Sequence, residues 1–322
     1  MEYMKGFIIA AALLVCGTSA MAAQKTEPIK YGDFNSWVTR NIKESKLLGG
    51  EMTRVYEIGP TETIDGDEPY RPQGGSPWAT SNVMANVMGI VKTSNAVFPA
   101  DHTSASDKCA RMTTALETCK VIGIVNIKVL VSGSIFLGRI YEPIRSTSNP
   151  YGKMEMGIPF TGRPKALRFD YKVYNPGTGI LTRASGSGVK TSPGQDNAEV
   201  FILLQRRWED ADGNLYAKRV GTGRERFVKT TPDWIKAHDL PVLYGDITSR
   251  PDYRDFMGLI PESRSYYAKN SKGKLVPVHE VGWDSADATP THILVMASAG
   301  CGEAYVGTVG MELMVDNMAL VY

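Results

Sequence analysis

The sequence predicts an all-β protein built as a β-sandwich, and three observations carry that prediction. Residues 167–174 alternate strictly, with Leu167, Phe169, Tyr171 and Val173 on one face and Arg168, Asp170, Lys172 and Tyr174 on the other. That period of two marks a half-buried strand. Short apolar runs bounded by glycine and other turn residues recur along the chain. No helix-period stretch reaches the length of a βαβ crossover, which argues against an α/β enzyme fold.

The elements follow in chain order. Lys5, the apolar run 6–15 and Ala20-Met21-Ala22 have the three parts of a secretory signal peptide over residues 1–22. The apolar run is shorter than the ~20 residues that span a bilayer. Cys16 raises the alternative of a lipid anchor, but Val15 is bulky where that processing wants a small residue. The expectation is therefore an exported protein (periplasmic, outer-membrane-associated or secreted) with no transmembrane segment after cleavage. Residues 23–32 are polar and read as a flexible leader, and 33–322 as the folded domain, with 33–75 as a possible smaller N-terminal subregion.

Within the domain, 38–48 has neither clean period and reads as irregular or a short helix, whereas 53–58 alternates as a strand. Residues 60–77 and 97–106 read as loops, the first long enough to suggest a function. Strands are expected over 121–131 and 135–140, with a Pro- and Gly-bearing connection at 147–163. Residues 200–204 form a continuous apolar run, a central buried strand. The Asp212-Gly213 pair is a hairpin signal that returns the chain through 215–220. Residues 231–277 are turn-rich. A buried strand over 293–299, a glycine turn at 300–302, a run at 304–309 and a last apolar strand over 311–322 close the chain.

The 36 basic and 34 acidic residues nearly cancel, so no polyanion partner is indicated. Arg206-Arg207 and Arg224-Glu225-Arg226 fall on strand patterns and read as a solvated face rather than a nucleic-acid surface. An exported protein can keep disulfides. Cys109 and Cys119 would close an 11-residue loop, worth roughly 3 kcal/mol; the alternative is two buried thiols. With Cys301 distant there is no CxxC pair and no cysteine zinc site. His102, His238, His279 and His292 are scattered.

Carbohydrate sites place flat aromatic rings against the apolar C–H face of a sugar and polar side chains on its hydroxyls. The candidates are Trp78 with Asn82, Trp234, and Trp283 with Asp284, followed by Tyr266-Tyr267; Trp37 and Trp208 read as packing residues. Hydrolysis would need two carboxylates about 5 or about 6.5–9.5 Å apart. Asp170, Glu199, Glu225, Asp284, Asp287 and Glu303 are available, but spacing does not pair them. Asp170 and Glu199 lie beside buried runs, with Lys172 or Arg206 as expected ion-pair partners.

Several segments resemble one family. They are Ser76-Pro77-Trp78-Ala79-Thr80-Ser81-Asn82, Gly133-Ser134-Ile135-Phe136-Leu137-Gly138, the stretch Pro164-Lys165-Ala166-Leu167-Arg168-Phe169-Asp170-Tyr171-Lys172, and the closing Val315-Asp316-Asn317. Together they are similar to the putative carbohydrate metabolism domain (PCMD) family of secreted bacterial proteins. The resemblance implies a jelly-roll, galactose-binding-like β-sandwich with long loop insertions and a carbohydrate-linked role. The turn Ala299-Gly300-Cys301-Gly302 departs from the expected serine-rich turn followed by Gly-Asp, which leaves any acidic function there to Glu303. Jelly-roll modules often hold a structural Ca²⁺ between opening and closing strands, and Asp33, Asn35 and Asp316 are the oxygen donors to test. The leading expectation is an exported glycan-binding protein. The alternatives are a glycoside hydrolase using a carboxylate pair and a structural or adhesive surface protein.

Overall fold

The computed structural model describes residues 25–121, 125–186 and 188–322. The expected signal peptide, residues 1–22, lies outside the described residues. The chain is an all-β sandwich: the described residues contain two large sheets, one eight-stranded and one ten-stranded, with only three short 3-10 helices. No helix among them is long and apolar enough to cross a membrane.

The last strand, Glu312–Val321, lies inside the eight-stranded sheet. It pairs antiparallel with Asp107–Val121 on one side and Ala166–Tyr174 on the other. Its C-terminal half also takes Thr26–Pro28 as a partner, with Glu27 opposite Leu320. Residues 26–28 are thus held in the sheet, where a flexible leader was expected; backbone pairing fixes them without any apolar side chain, since all three are exposed. Farther out lie Val97–Ser104, Val125–Ser132 with the short Ser185–Gly186 beyond it, and Ile235–Pro241.

The ten-stranded sheet centres on Ala198–Glu209, flanked by His292–Ser298 and Leu215–Phe227. From Leu215–Phe227 the pairings run through Leu275–Trp283, Tyr267–Lys269, Met154–Met156 and Ser134–Ile140 back to His292–Ser298, so they close a circuit. Two cores result from one alternation. Ala198, Val200, Ile202 and Leu204 face the eight-stranded sheet, meeting Leu167, Phe169, Leu313 and Val315. Phe201 and Leu203 face the other way, into a second cluster with Phe136, Met156 and Leu294. The hairpin after Glu209 turns at Asp210, whose carboxylate accepts from the Asp212 and Asn214 amides.

Three expected irregular stretches are ordered strands. Residues 38–48 hold the strand Trp37–Lys43 and a 3-10 turn, Lys46–Leu48. Its alternation is masked because Arg40 points inward, 2% exposed, with Nη1 3.1 Å from Glu57 and Nη2 2.6 Å from Glu142. That strand pairs with Met52–Ile58 and with Glu62–Asp65 from the expected 60–77 loop. Glu142 also accepts from the Tyr70 and Met84 amides, which anchors the rest of that loop. The 97–106 loop is the strand Val97–Ser104, paired with Asp107–Val121.

Of the two readings left open for Cys109 and Cys119, the thiols hold: both are free. Both lie on the strand Asp107–Val121. Ten residues of extended chain separate their Cα atoms by about 33 Å, far beyond the ~7 Å limit for a bridge. Burial pushes the Cys109 thiol up to about 12.

Candidate functional site

A cavity of 370 Å³ opens at one end of the strand circuit, where the long strands Asp107–Val121 and Val125–Ser132 lean past it. Its floor comes from the second face of the ten-stranded sheet: Glu199, Arg224, Met296 and Ser298. Tyr266, Tyr151 and Tyr305 border it from three connecting segments, and Ile127, Val129 and Val131 form an apolar wall.

The floor carries a charge clamp. Glu199 is 1% exposed; its Oε2 accepts from Nη2 of Arg224 at 2.7 Å and its Oε1 from Nε of Arg226 at 2.7 Å. Register explains the pairing, since Glu199 stands opposite Arg226 and Phe201 opposite Arg224. The expected partners Lys172 and Arg206 lie elsewhere, and Arg224 belongs to a buried floor rather than a solvated face. Burial works against the charged Arg224, but Glu199 outweighs it and holds the guanidinium above its ordinary value. Arg224 also lies 5.2 Å over the Phe201 ring, and its buried Nε has no hydrogen-bond partner.

Tyr151 and Tyr266 meet edge to face, with centroids 6.2 Å apart. Burial raises the phenols of Tyr151, Tyr266 and Tyr305, so all three stay protonated near neutrality and keep an O–H for hydrogen bonding. Among the lining carboxylates, Glu303 is held low by Arg183, whose Nη2 lies 2.6 Å away. Glu117 goes the other way: burial raises its carboxyl despite the nearby charge of Lys92.

The glycine turn at 300–302 is seated on Asp196, a residue the sequence did not single out. The Cys301 amide donates to Asp196 Oδ1 at 3.0 Å. A Cβ at Gly300 would come within 2.5 Å of Ser132 Oγ and 2.8 Å of Asp196 Oδ2, so only glycine fits there. Burial and the Asp196 charge push the Cys301 thiol up to about 12, which leaves it unreactive as a nucleophile.

The residues expected to bind sugar are not gathered. Trp78 is 1% exposed; its indole donates to the Lys30 carbonyl at 3.0 Å and its ring packs edge-on against Phe34. Asn82 is fully buried, its amide donating to the Tyr56 and Val97 carbonyls and its oxygen accepting from the Ala96 and Val97 amides. Both are packing residues that hold neighbouring strands together. Trp283 lies near the buried Arg219, and Asp284 is paired with Arg206. Trp208, read as packing, is 40% exposed and stacks on Tyr216.

Trp234 sits against His102, with ring centroids 4.1 Å apart. Nor does the expected calcium trio assemble. Asp33 is exposed, and Asn35 accepts from the Lys108 amide. Asp316 instead meets His102 and Asp107, and the ligand atoms of those three lie within 4.8 Å of one another.

Residues 61–321 match the model of a family described as Putative carbohydrate metabolism domain. The chain belongs to this PCMD family. Two solved structures resemble the PCMD chain. One, from Bacteroides thetaiotaomicron and described as a putative glycoside hydrolase, is 16% identical with a TM-score of 0.44, covering 85% of this chain and 76% of its own. The other, from Bacteroides vulgatus and described in the same words, is 13% identical with a TM-score of 0.41, covering 92% of this chain and 94% of its own. No curated protein matches. Family membership gives the PCMD chain a carbohydrate-related role.

Proposed function

We propose that this PCMD protein is exported and binds a glycan in the cavity bordered by Tyr151, Tyr266 and Arg224. The observation that carries this reading is the state of Glu199. It is the carboxylate set deepest in the floor, and both its oxygens are taken by guanidinium groups. A carboxylate so committed is neither a ready proton donor nor a free nucleophile. What remains at the surface of the cavity is suited to recognition. Tyrosine rings cover the C–H face of a sugar, and the phenols supply hydrogen bonds to its hydroxyls. The charged start, apolar run and Ala20-Met21-Ala22 site support export.

A second reading, glycoside hydrolysis, is favoured by Glu117 alone, whose raised carboxyl lines the same cavity. One experiment addresses both. A glycan-array screen of residues 23–322, run with Tyr151→Ala beside it, is expected to find a glycan that the variant no longer retains. Reducing-end assays on that glycan, with Glu117→Gln as control, then separate binding from cleavage. Absence of any bound glycan sinks both readings and favours an adhesive or structural role.

A further inference from the structure

We propose that His102, Asp107 and Asp316 form a binding site for one divalent transition-metal ion of the zinc type, separate from the glycan cavity. The three residues come from three neighbouring strands of the eight-stranded sheet: Val97–Ser104, Asp107–Val121 and Glu312–Val321. Two local irregularities bring them together. Pairing of the first two strands shifts between Asp101 and Ser104, so His102 falls where the ladder is interrupted. The last strand is bulged against Ala166–Tyr174, where the step from Arg168 to Asp170 corresponds to the step from Ala319 to Asp316. Asn317 in that bulge has φ 53°. Bulges re-aim side chains and recur beside functional sites.

The bulge resets the alternation just after Asp316. Leu313 and Val315 before it, and Met318 and Leu320 after it, all enter the main core. Asp316 is out of phase with both pairs and turns from that core, yet it is completely buried. What covers it includes the His102 imidazole, whose side chain is 3% exposed and lies against the Trp234 ring.

The second observation is the state of that imidazole. Neither Nδ1 nor Nε2 of His102 has a hydrogen-bond partner, and neither has Asp316 Oδ2. Nδ1 makes a short ion-pair contact with Asp316 Oδ2 at 2.6 Å and lies 3.5 Å from Asp107 Oδ2. Buried polar atoms are nearly always partnered. Here Nδ1 and the two carboxylates gather within 4.8 Å, where one ion would take all three residues as ligands. Asp316 is also oriented from behind, since the Asn317 amide donates to its Oδ1 at 2.7 Å, and the Thr103 hydroxyl donates to Asp107 Oδ2, the oxygen that faces His102. Such outer contacts are typical of metal ligands.

The donor set selects the ion. An imidazole nitrogen with two carboxylates suits Zn²⁺ or Mn²⁺, whereas Ca²⁺ and Mg²⁺ take oxygen ligands. Three protein ligands leave a fourth position for water or a substrate group. A bound ion would tie the closing strand to Asp107–Val121 beside it and to Val97–Ser104 beyond.

The test is calorimetric titration of Zn²⁺ into metal-stripped protein spanning residues 23–322, with Co²⁺ absorption as a spectroscopic check. The expected result is one Zn²⁺ per chain, a melting temperature that rises with Zn²⁺, and Zn²⁺ binding that survives excess Ca²⁺. His102→Ala is expected to weaken binding at least about 100-fold and Asp107→Asn at least about 10-fold. Asp107 is partly exposed, so its variant decides the matter if His102→Ala does not fold. No saturable Zn²⁺ binding, displacement by Ca²⁺, or wild-type affinity in a folded variant overturns the site.

Discussion

Glu199 and Arg226 stand directly opposite each other across the central antiparallel pair, and the Arg226 Nε donates to the Glu199 carboxylate at 2.7 Å. Arg224, two residues back along the same strand, takes the other oxygen. The clamp closes because residues two apart on a strand share a face. Both arginines therefore reach one carboxylate from the same side.

Arg224→Met is expected to cost about 3 kcal/mol of stability, because it leaves a buried carboxylate short of one partner. Urea unfolding gives the number. Adding Glu199→Gln should recover part of the loss, since the uncompensated charge is gone. A single-variant loss below about 1 kcal/mol, at the level of an exposed pair, would show that the clamp is solvated.

Trp78→Ala should destabilise the protein by roughly 3–5 kcal/mol without reporting on a sugar site. Tyr151→Ala, on a connecting segment, should leave the melting temperature nearly unchanged and weaken glycan retention about 10-fold, the equivalent of one lost ring contact near 1.4 kcal/mol. Isothermal titration with the glycan found by array, beside a melting curve, separates the two. Equal glycan affinity in wild type and Tyr151→Ala would move the site elsewhere.

Dithiothreitol should not shift the melting temperature. Thiol titration of unfolded, unreduced protein spanning residues 23–322 should find all three cysteines, Cys109, Cys119 and Cys301, reactive. A count of one would mean that two are bridged, against the ~33 Å separation along a single strand.

His292 predicts an acid-side loss of stability. Burial, helped by the charge of Arg207, lowers its pKa to about 4 from 6.5. The unfolded chain binds the proton first, so stability rises with pH wherever the two states differ. The contribution is fully present above about pH 6.5 and is lost as pH falls toward 4, by at most about 3 kcal/mol. His292→Gln should flatten that part of the stability profile. A variant with the wild-type slope from pH 7 to 4 would remove His292 as the cause.

The sandwich was legible where one face of a strand is purely apolar, as at Leu167, Phe169 and Val173, all of which enter the main core. It was hidden where a charge faces inward. Arg40 breaks the alternation of Trp37–Lys43 because its partners, Glu57 and Glu142, lie far along the chain. The site was partly visible: Glu199 stood out beside its apolar run, but its partners follow from the register of a hairpin whose pairing shifts at Leu204 and Gln205. Tyr151 and Tyr305 sit on connecting segments whose positions in space no spacing encodes. His102 and Asp316 meet only because a bulge and a shifted ladder face each other. Trp78 misled because a tryptophan after a Pro/Gly loop has the same local pattern whether it faces solvent or, as here, the Lys30 carbonyl.

The position of Glu312–Val321, with Asp107–Val121 on one flank and Ala166–Tyr174 on the other, bears on the order of assembly. During synthesis those two strands leave the ribosome long before the segment that separates them. Until residues 312–321 emerge, each presents an open backbone edge to the other and to any neighbouring chain. The nascent protein must therefore be kept from pairing across that gap too early. Loss of residues 312–321 would leave the sheet split down its middle rather than frayed at its rim.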